Sequence, residues 1–210
     1  MAPLVSIVGK SKSGKTTFIK RLIPELKERG YRVATIKHAQ EINLEPGKDS
    51  QHHLEAGSSV TAVAAPGQVV VIKPVSPDAS PEEVARLIGD DYDIILVEGY
   101  KRSDLPKIEI HQAQNGPCLE GLKKLMAMVT DEPVEKKVRQ FSFDDVKGIA
   151  DLLEEGFIKP QQNRLSLFVN GSQVPLMLFP RQIITSVLLA IGSSLKGIKD
   201  ISSMDIYLRQ

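Results

Sequence analysis

Residues 9–16 read Gly9-Lys10-Ser11-Lys12-Ser13-Gly14-Lys15-Thr16. This stretch fits G-x-x-x-x-G-K-[ST], the phosphate-binding loop, or Walker A motif, of nucleotide triphosphatases. A short apolar and β-branched run precedes it at residues 4–8, and apolar residues at helical spacing follow it over residues 17–29. The order strand, glycine loop, helix is the context in which this motif binds phosphate, so the stretch predicts an α/β fold of the P-loop type.

The residue types of the loop explain how it would hold a nucleotide. Glycines at positions 9 and 14 let the backbone turn tightly and bring its N–H groups close to phosphate oxygens. The N-terminus of the following helix adds a partial positive charge. Lys15 is predicted to reach the β- and γ-phosphates, and the Thr16 hydroxyl to bind Mg²⁺. The predicted nucleotide-binding residues are Gly9, Lys10, Ser11, Lys12, Ser13, Gly14, Lys15, Thr16 and Thr17.

The composition is that of a globular protein. The chain has 210 residues, of which 41% are hydrophobic and 25% charged, and its net charge is +1. A charge so close to zero gives no field that would attract nucleic acid or an anionic membrane, so neither is predicted as a partner. No run approaches the roughly 18 apolar residues of a membrane span, and the N-terminus does not have the pattern of a signal peptide. The single cysteine, Cys118, fits a reducing compartment, which predicts a cytoplasmic protein.

A second strand is predicted over residues 31–36, and polar residues follow it. Because ligands of open α/β sheets bind beyond the carboxyl ends of the strands, Lys37 and His38 are candidates for the cleft. A polar loop leads to a short predicted helix over residues 49–57. Asp49, at its start, is placed near Mg²⁺ or the γ-phosphate in this interpretation. The alternative is a surface loop and helix with no role at the site.

An acidic residue at the end of a buried strand is the second motif of the nucleotide site. Residues 94–97 are apolar and Glu98 follows them, where it would meet Mg²⁺ directly or through water. The alternative is a solvated strand end. Thr16, Glu98 and Asp49 are therefore the predicted metal residues. Residues 130–132 read Thr-Asp-Glu, without the lysine of guanine-specific sites, so motifs alone do not settle the base.

The rest of the chain suggests a second, smaller unit. Residues 59–65 and 68–73 are β-rich and could form a hairpin or two strands of the main sheet. Pro160 ends the first domain, predicted over residues 1–158. After it, a hairpin around Asn170-Gly171, an apolar helix over residues 182–191 and a strand over residues 204–208 predict a ββαβ appendage over residues 161–210. The helix is apolar nearly all round, which indicates a buried position, for example at a subunit contact.

Several stretches together point to one family. They are residues 8–17, 32–39, 46–50 with 53 and 56–57, 97–101, 105–109 and 131–133. In these stretches the chain resembles the MobB family, the molybdopterin-guanine dinucleotide biosynthesis adapter proteins. The family's acid at the strand end corresponds to Glu98, and its aromatic residue after Glu-Gly corresponds to Tyr100, a further candidate for the cleft. The resemblance covers residues 1 to about 155 and leaves the last 50 unmatched.

The resemblance implies a function as well as a fold. The fold would be a P-loop nucleotide triphosphatase with a mostly parallel sheet flanked by helices. The protein would bind GTP with Mg²⁺, hydrolyse it slowly at most, and form a homodimer. Its partner would be the molybdenum cofactor guanylyltransferase, which attaches GMP to molybdopterin. Whether the chain is itself an enzyme stays open, since it would be at most a weak GTPase.

Two alternative functions share the strand-loop-helix motif. A small-molecule kinase has a similar length but usually carries an arginine-rich lid, and Lys101-Arg102 is too short for one. A dimerising ATPase switch is indicated by Lys10 alone. Lys10 occupies the position of the lysine that reaches the nucleotide across a dimer interface in deviant phosphate loops, and the alternative is a solvated loop lysine.

Overall fold

The structure is a computed structural model of the chain. It describes residues 1–41, 48–89, 91–161, 165, 167–169, 172–174, 176–195, 201, 204 and 206. It divides into two compact units, Met1–Pro160 and Gln161–Gln210. The first unit contains, in chain order, β1 (Leu4–Val8), α1 (Lys15–Glu28), β2 (Val33–Lys37), α2 (Lys48–Glu55), β3 (Thr61–Ala65), β4 (Gln68–Ile72), α3 (Pro81–Ile88), β5 (Ile94–Glu98), β6 (Lys107–His111), β7 (Leu125–Thr130), β8 (Arg139–Phe141) and α4 (Val146–Leu153).

Six strands form the central sheet in the order β2-β5-β1-β6-β7-β8. Every neighbouring pair is parallel, which confirms the predicted mostly parallel sheet. The carboxyl ends of β1, β2 and β5 therefore meet at one edge, where the phosphate loop begins. Strand β8 was not predicted from the sequence; it is short and only partly buried.

Helices cover both faces of this sheet because each presents an apolar stripe. Helix α1 buries Phe18, Ile19, Leu22 and Leu26 at the spacing of one helical face. They join a core with α4 and one face of the sheet. On the other face, Ala85 of α3 packs in a smaller core. The two cores pack against the two faces of the central strands, next to the site.

The start of α3 follows the local signals of the sequence. The Ser80 hydroxyl accepts a hydrogen bond from the Glu83 backbone N–H at 3.2 Å, and the Glu83 carboxylate accepts one from the Ser80 N–H at 2.7 Å. This reciprocal capping box, with Pro81 at the first helical position, satisfies two N–H groups that the helix itself leaves unpaired.

Strands β3 and β4 form a hairpin outside the central sheet. They pair antiparallel with each other, which decides between the two arrangements that the sequence left open. Val69 and Val71 are 62% and 61% exposed, and they share a face with Ala62 and Ala64, their partners across the hairpin. The hairpin thus presents an apolar face to solvent in the single chain.

The second unit contains a hairpin of β9 (Leu167–Val169) and β10 (Ser172–Val174), followed by α5 (Leu178–Ser194). The predicted turn at Asn170-Gly171 and most of the predicted strand over residues 204–208 lie outside the described residues. In the single chain Ile183, Val187 and Ile191 of this helix are about half exposed, so the expected burial at a subunit contact stays a prediction. Among the described helices, none combines the length and apolarity needed to cross a membrane.

Candidate nucleotide-binding site

The loop between β1 and α1 forms a cleft of about 350 Å³ at the carboxyl edge of the sheet. Residues 11–17 line this cleft together with Glu98 at the end of β5. Gly9 and Lys10, the remaining predicted nucleotide-binding residues, form the beginning of the same loop. The structure therefore brings the glycine loop and the acidic strand end, separated by more than 80 positions in the sequence, to one site.

Gly9 is required by the close packing of the loop on β6. Its φ angle is +156°, and a β-carbon there would collide with the Ile110 carbonyl oxygen and lie 2.5 Å from Ser13 Oγ. The Ser13 side chain is buried, and within the described residues its hydroxyl has no hydrogen-bond partner. An unpartnered buried hydroxyl fits a loop whose polar groups are completed by a bound phosphate.

The Lys15 amine lies over the loop. It donates a hydrogen bond to the Lys10 backbone oxygen at 2.7 Å. Burial lowers the pKa of Lys15; Glu98 acts in the opposite direction, while the positive charges of Lys101 and Lys37 lower this pKa further. Several positive charges thus lie around a partly buried amine, and a bound phosphate anion would be stabilised by them.

Thr16 and Glu98 are in direct contact. The Thr16 hydroxyl lies 3.0 Å and 3.1 Å from the two carboxylate oxygens and donates to them. Neighbouring oxygen ligands of Mg²⁺ stand about 3 Å apart in an octahedron, so this pair of oxygen donors fits a shared metal ion. Asp49, the third predicted metal residue, belongs to α2, but its side chain lies outside the described part of the chain.

The three predicted cleft residues lie beside Glu98 and outside the lining of the phosphate cleft. Lys37 pairs with Glu98 in the register of β2 and β5, and the His38 N–H donates to the Glu98 carbonyl at 2.9 Å. The His38 ring packs at 4.4 Å from the Tyr100 ring. Gly99 has a φ of +110°, and a β-carbon there would stand 2.9 Å from His38 Cβ. The glycine thus allows the close approach of the two strand ends.

A contact that the sequence did not indicate braces the loop from the side of β6. The Lys10 amine donates to the Asn115 carbonyl at 3.1 Å within the same chain, and the Asn115 amide lies 3.5 Å from the Lys12 carbonyl. Asp131 in turn accepts a hydrogen bond from the Ala113 N–H at 2.9 Å. No motif marks this segment, because its role depends only on where β6 ends in space.

The sequence of the chain is similar to those of one protein family. The family described as Molybdopterin guanine dinucleotide synthesis protein B, or MobB, matches residues 4–131. The molybdopterin-guanine dinucleotide biosynthesis adapter protein of Haemophilus influenzae is 37% identical over 160 residues, which cover 72% of this chain and 88% of that protein. The adapter protein of the same name from Escherichia coli is 34% identical over 164 residues, covering 74% and 93%.

Solved structures agree with the sequence comparisons. A crystal structure of molybdopterin-guanine biosynthesis protein B is 30% identical, with a TM-score of 0.59, and the match covers 72% of this chain and 97% of that one. The crystal structure of MobB from Bacillus subtilis is 27% identical, with a TM-score of 0.57 and coverages of 74% and 98%. The family match, the identities and the shared fold agree, and the chain belongs to the MobB family.

Proposed function

We propose that this chain is a GTP-binding adapter in the biosynthesis of the molybdenum cofactor. It would serve, in the cytoplasm, the guanylyltransferase that attaches GMP to molybdopterin. The observation that carries the proposal is the phosphate loop with Lys15 over it and Glu98 at its edge, in a chain whose relatives are named as adapter proteins of this pathway. A loop of this kind binds a nucleoside triphosphate through backbone N–H groups, a lysine and a metal.

Binding and turnover of GTP test this proposal together. In calorimetric titrations with Mg²⁺, GTP should bind more tightly than ATP. Hydrolysis by the purified chain should not exceed about 10⁻³ s⁻¹, since the described residues offer no arginine finger at the phosphate loop. Adding the guanylyltransferase should produce a complex detectable by analytical ultracentrifugation. A turnover above about 1 s⁻¹ would contradict the adapter and favour a kinase-type enzyme, and preference for ATP would favour an ATPase switch.

The Mg²⁺ ion is the second part of the proposal. Replacing Glu98 by glutamine should reduce the gain in GTP affinity that Mg²⁺ provides, because an amide oxygen is a weaker ligand for a hard cation than a carboxylate. Affinity for metal-free GTP should change little. Titrations with and without Mg²⁺ measure both, with the exposed Glu28→Gln variant on α1 as the matched control. An equal loss with and without metal would show that Glu98 supports the loop and does not bind the ion.

We also propose that the chain forms a homodimer through the apolar face of the β3–β4 hairpin. A two-stranded hairpin is marginally stable by itself in water, and its exposed apolar face would leave contact with water by packing against a second copy of the chain. Introducing lysine at Val69 and Val71 together should shift the protein to monomers, which light scattering coupled to gel filtration would detect. The control is lysine at Leu87, which is 48% exposed on α3. A dimer that survives the double change would place the subunit contact elsewhere.

The C-terminal segment is proposed to be an accessory appendage of the nucleotide-binding domain, with boundaries at residues 1–158 and 161–210. Two observations support this division. The residues lining the phosphate cleft all belong to the first compact unit. The family match ends at residue 131. The appendage would then modify partner choice or self-association and leave nucleotide binding to the first domain.

A further inference from the structure

Strand β6 carries polar side chains on a buried face. Lys107, Glu109 and His111 alternate with Ile108 and Ile110, which point into the main apolar core. The three polar residues are only 0%, 1% and 5% exposed. Because burying an unpaired polar group costs free energy, each of these three side chains requires a hydrogen-bonding or ionic partner.

Lys107 is fully explained by its backbone partners. Its amine donates to the Ser103 carbonyl at 2.6 Å and to the Leu105 carbonyl at 2.8 Å. Burial lowers the pKa of Lys107, and the negative charge of Asp104 opposes this shift. Lys107 thus stabilises the connection between β5 and β6. Glu109 and His111 take no part in these hydrogen bonds.

Glu109 and His111 meet Cys118, which lies in the segment after β6. One potential ligand atom from each of the three side chains lies within 4.8 Å of the others. Ligands of a tetrahedral zinc ion, bound at 2.0–2.3 Å, stand about 3.5 Å apart, so side-chain movements of about 1 Å would bring all three to one ion. The His111 Nε2 atom is 3.4 Å from a Glu132 carboxylate oxygen. Metal-binding histidines commonly use such a carboxylate to orient the ring.

We propose that Glu109, His111 and Cys118 form a site for a divalent transition-metal ion of the zinc type. A thiolate, an imidazole and one carboxylate select zinc or cobalt over magnesium, so this site differs in its chemistry from the one proposed at Thr16. The charges also favour a cation at this position. With Cys118 bound as the thiolate, it and the carboxylates of Glu109 and Glu132 would carry three negative charges, and a divalent ion would neutralise two of them.

An ion bound at this site would lie next to the amine of Lys136. Its amine lies 3.0 Å from Glu109 Oε2 and donates to the Leu119 carbonyl at 2.7 Å. The other Glu109 oxygen accepts a hydrogen bond from the Leu119 N–H at 2.6 Å. The location therefore already favours positive charge, and Lys136 competes with the metal for the same carboxylate.

The position of this cluster gives it a structural consequence. Val8, the last residue of β1, pairs with Glu109 across the sheet, and the phosphate loop begins at the next residue. Asn115, between His111 and Cys118, accepts the hydrogen bond from Lys10. An ion bound by His111 and Cys118 would therefore fix both ends of the segment that braces the phosphate loop.

Cobalt binding to the full-length protein tests the proposal. After treatment with a chelator and a phosphine reductant, titration with Co²⁺ should give one equivalent of tetrahedral cobalt with a thiolate-to-cobalt charge-transfer band, and Zn²⁺ should displace it. Cys118→Ser should abolish that band. His111→Gln should weaken Co²⁺ binding at least about tenfold, since even indirect contacts of metal ligands have effects of that size. His53→Gln, on the exposed face of α2, is the matched control and should leave the spectrum unchanged.

Lys136→Met provides a second and opposite readout. Removing the competing amine should tighten Co²⁺ binding and increase the rise in melting temperature caused by Zn²⁺, because Glu109 would then have the ion as its counter-charge. Weaker or unchanged binding in this variant would overturn the placement of the ion at Glu109. Absence of the charge-transfer band in the folded wild-type protein, or its persistence in Cys118→Ser, would overturn the site as a whole.

Discussion

Replacing Lys15 with alanine is expected to weaken GTP binding at least about 30-fold, or about 2 kcal/mol. The Lys15 amine already lies over the loop, where it donates to the backbone oxygens of Gly9 and Lys10 at 3.3 Å and 2.7 Å. It is thus positioned to exchange these neutral acceptors for phosphate oxygens, and hydrogen bonds between charged groups are about twice as strong as neutral ones. Alanine removes the charge and keeps the helix that begins at this residue.

Calorimetry with GTP and Mg²⁺ measures this loss, and circular dichroism verifies that the variant is folded. The matched control is Lys20→Ala, on the exposed face of α1 a little more than one turn later, which should keep the wild-type affinity. Unchanged affinity in a folded Lys15→Ala protein would remove the phosphate loop from the binding site.

Replacing Arg29 with alanine is expected to reduce the free energy of unfolding by about 2–4 kcal/mol. The Arg29 guanidinium follows α1 and makes ion pairs with Glu25 at 2.8 Å, with Asp151 of α4 at 2.6 Å and with Glu154 at 2.8 Å. The Arg29 side chain is only 20% exposed, and its loss would leave several carboxylates close together without their shared counter-charge.

Chemical denaturation followed by circular dichroism measures this effect. Arg32→Ala is the matched control. Its side chain is 63% exposed and its ion pairs with Asp91 and Asp93 are longer, at 3.9 Å and 3.6 Å, so its loss should cost less than about 1 kcal/mol. Equal losses in the two variants would contradict the role of Arg29 as the link between α1 and α4.

The effect of Arg29 should depend on pH in a defined direction. Hydrogen bonds from Lys159, Arg29 and Tyr31 lower the pKa of Glu154 from 4.5 to about 2. Because the pKa is lowered in the folded state, the resulting stabilisation is complete above about pH 4.5 and is lost as the pH falls towards 2. The difference in stability between wild type and Arg29→Ala should therefore shrink over this interval, and a constant difference would exclude Glu154 as the partner.

The Glu-Gly-Tyr sequence at the end of β5 contributes the acid beside Thr16, the glycine that lets β2 approach and the ring that packs on His38. Changes at this strand end would alter both the proposed metal ligand and the packing of β2. Glu98→Gln, which keeps the size of the side chain, is for that reason the informative substitution.

Short-range signals allowed the sequence alone to predict the central part of the protein. The glycine loop, α1 and the capping box of α3 depend on backbone conformations and hydrogen bonds between residues a few positions apart. The buried run before Glu98 predicted β5 because a strand covered on both faces is apolar throughout. The parallel sheet and the juxtaposition of Thr16 with Glu98 followed from the rules of α/β folds.

Polar residues in β6 and the short strand β8 could not be interpreted in this way. Alternation in β6 suggests one solvent face, yet Glu109 and His111 are buried because later segments of the chain supply their partners Leu119, Lys136 and Glu132. Residues 139–141 become a strand only because β7 offers an open edge. Such assignments depend on residues far away in the sequence.

What the sequence by itself determined is the phosphate loop, its flanking strand and helix, and the family, because these reside in local conformation and residue identity. The tertiary structure decided that β3 and β4 form a separate hairpin, that Lys10 contacts Asn115, and that Glu109, His111 and Cys118 converge. Each of these depends on which distant segments pack together. The packing of distant segments depends on how the whole chain buries its apolar surface, and no short stretch of sequence encodes that.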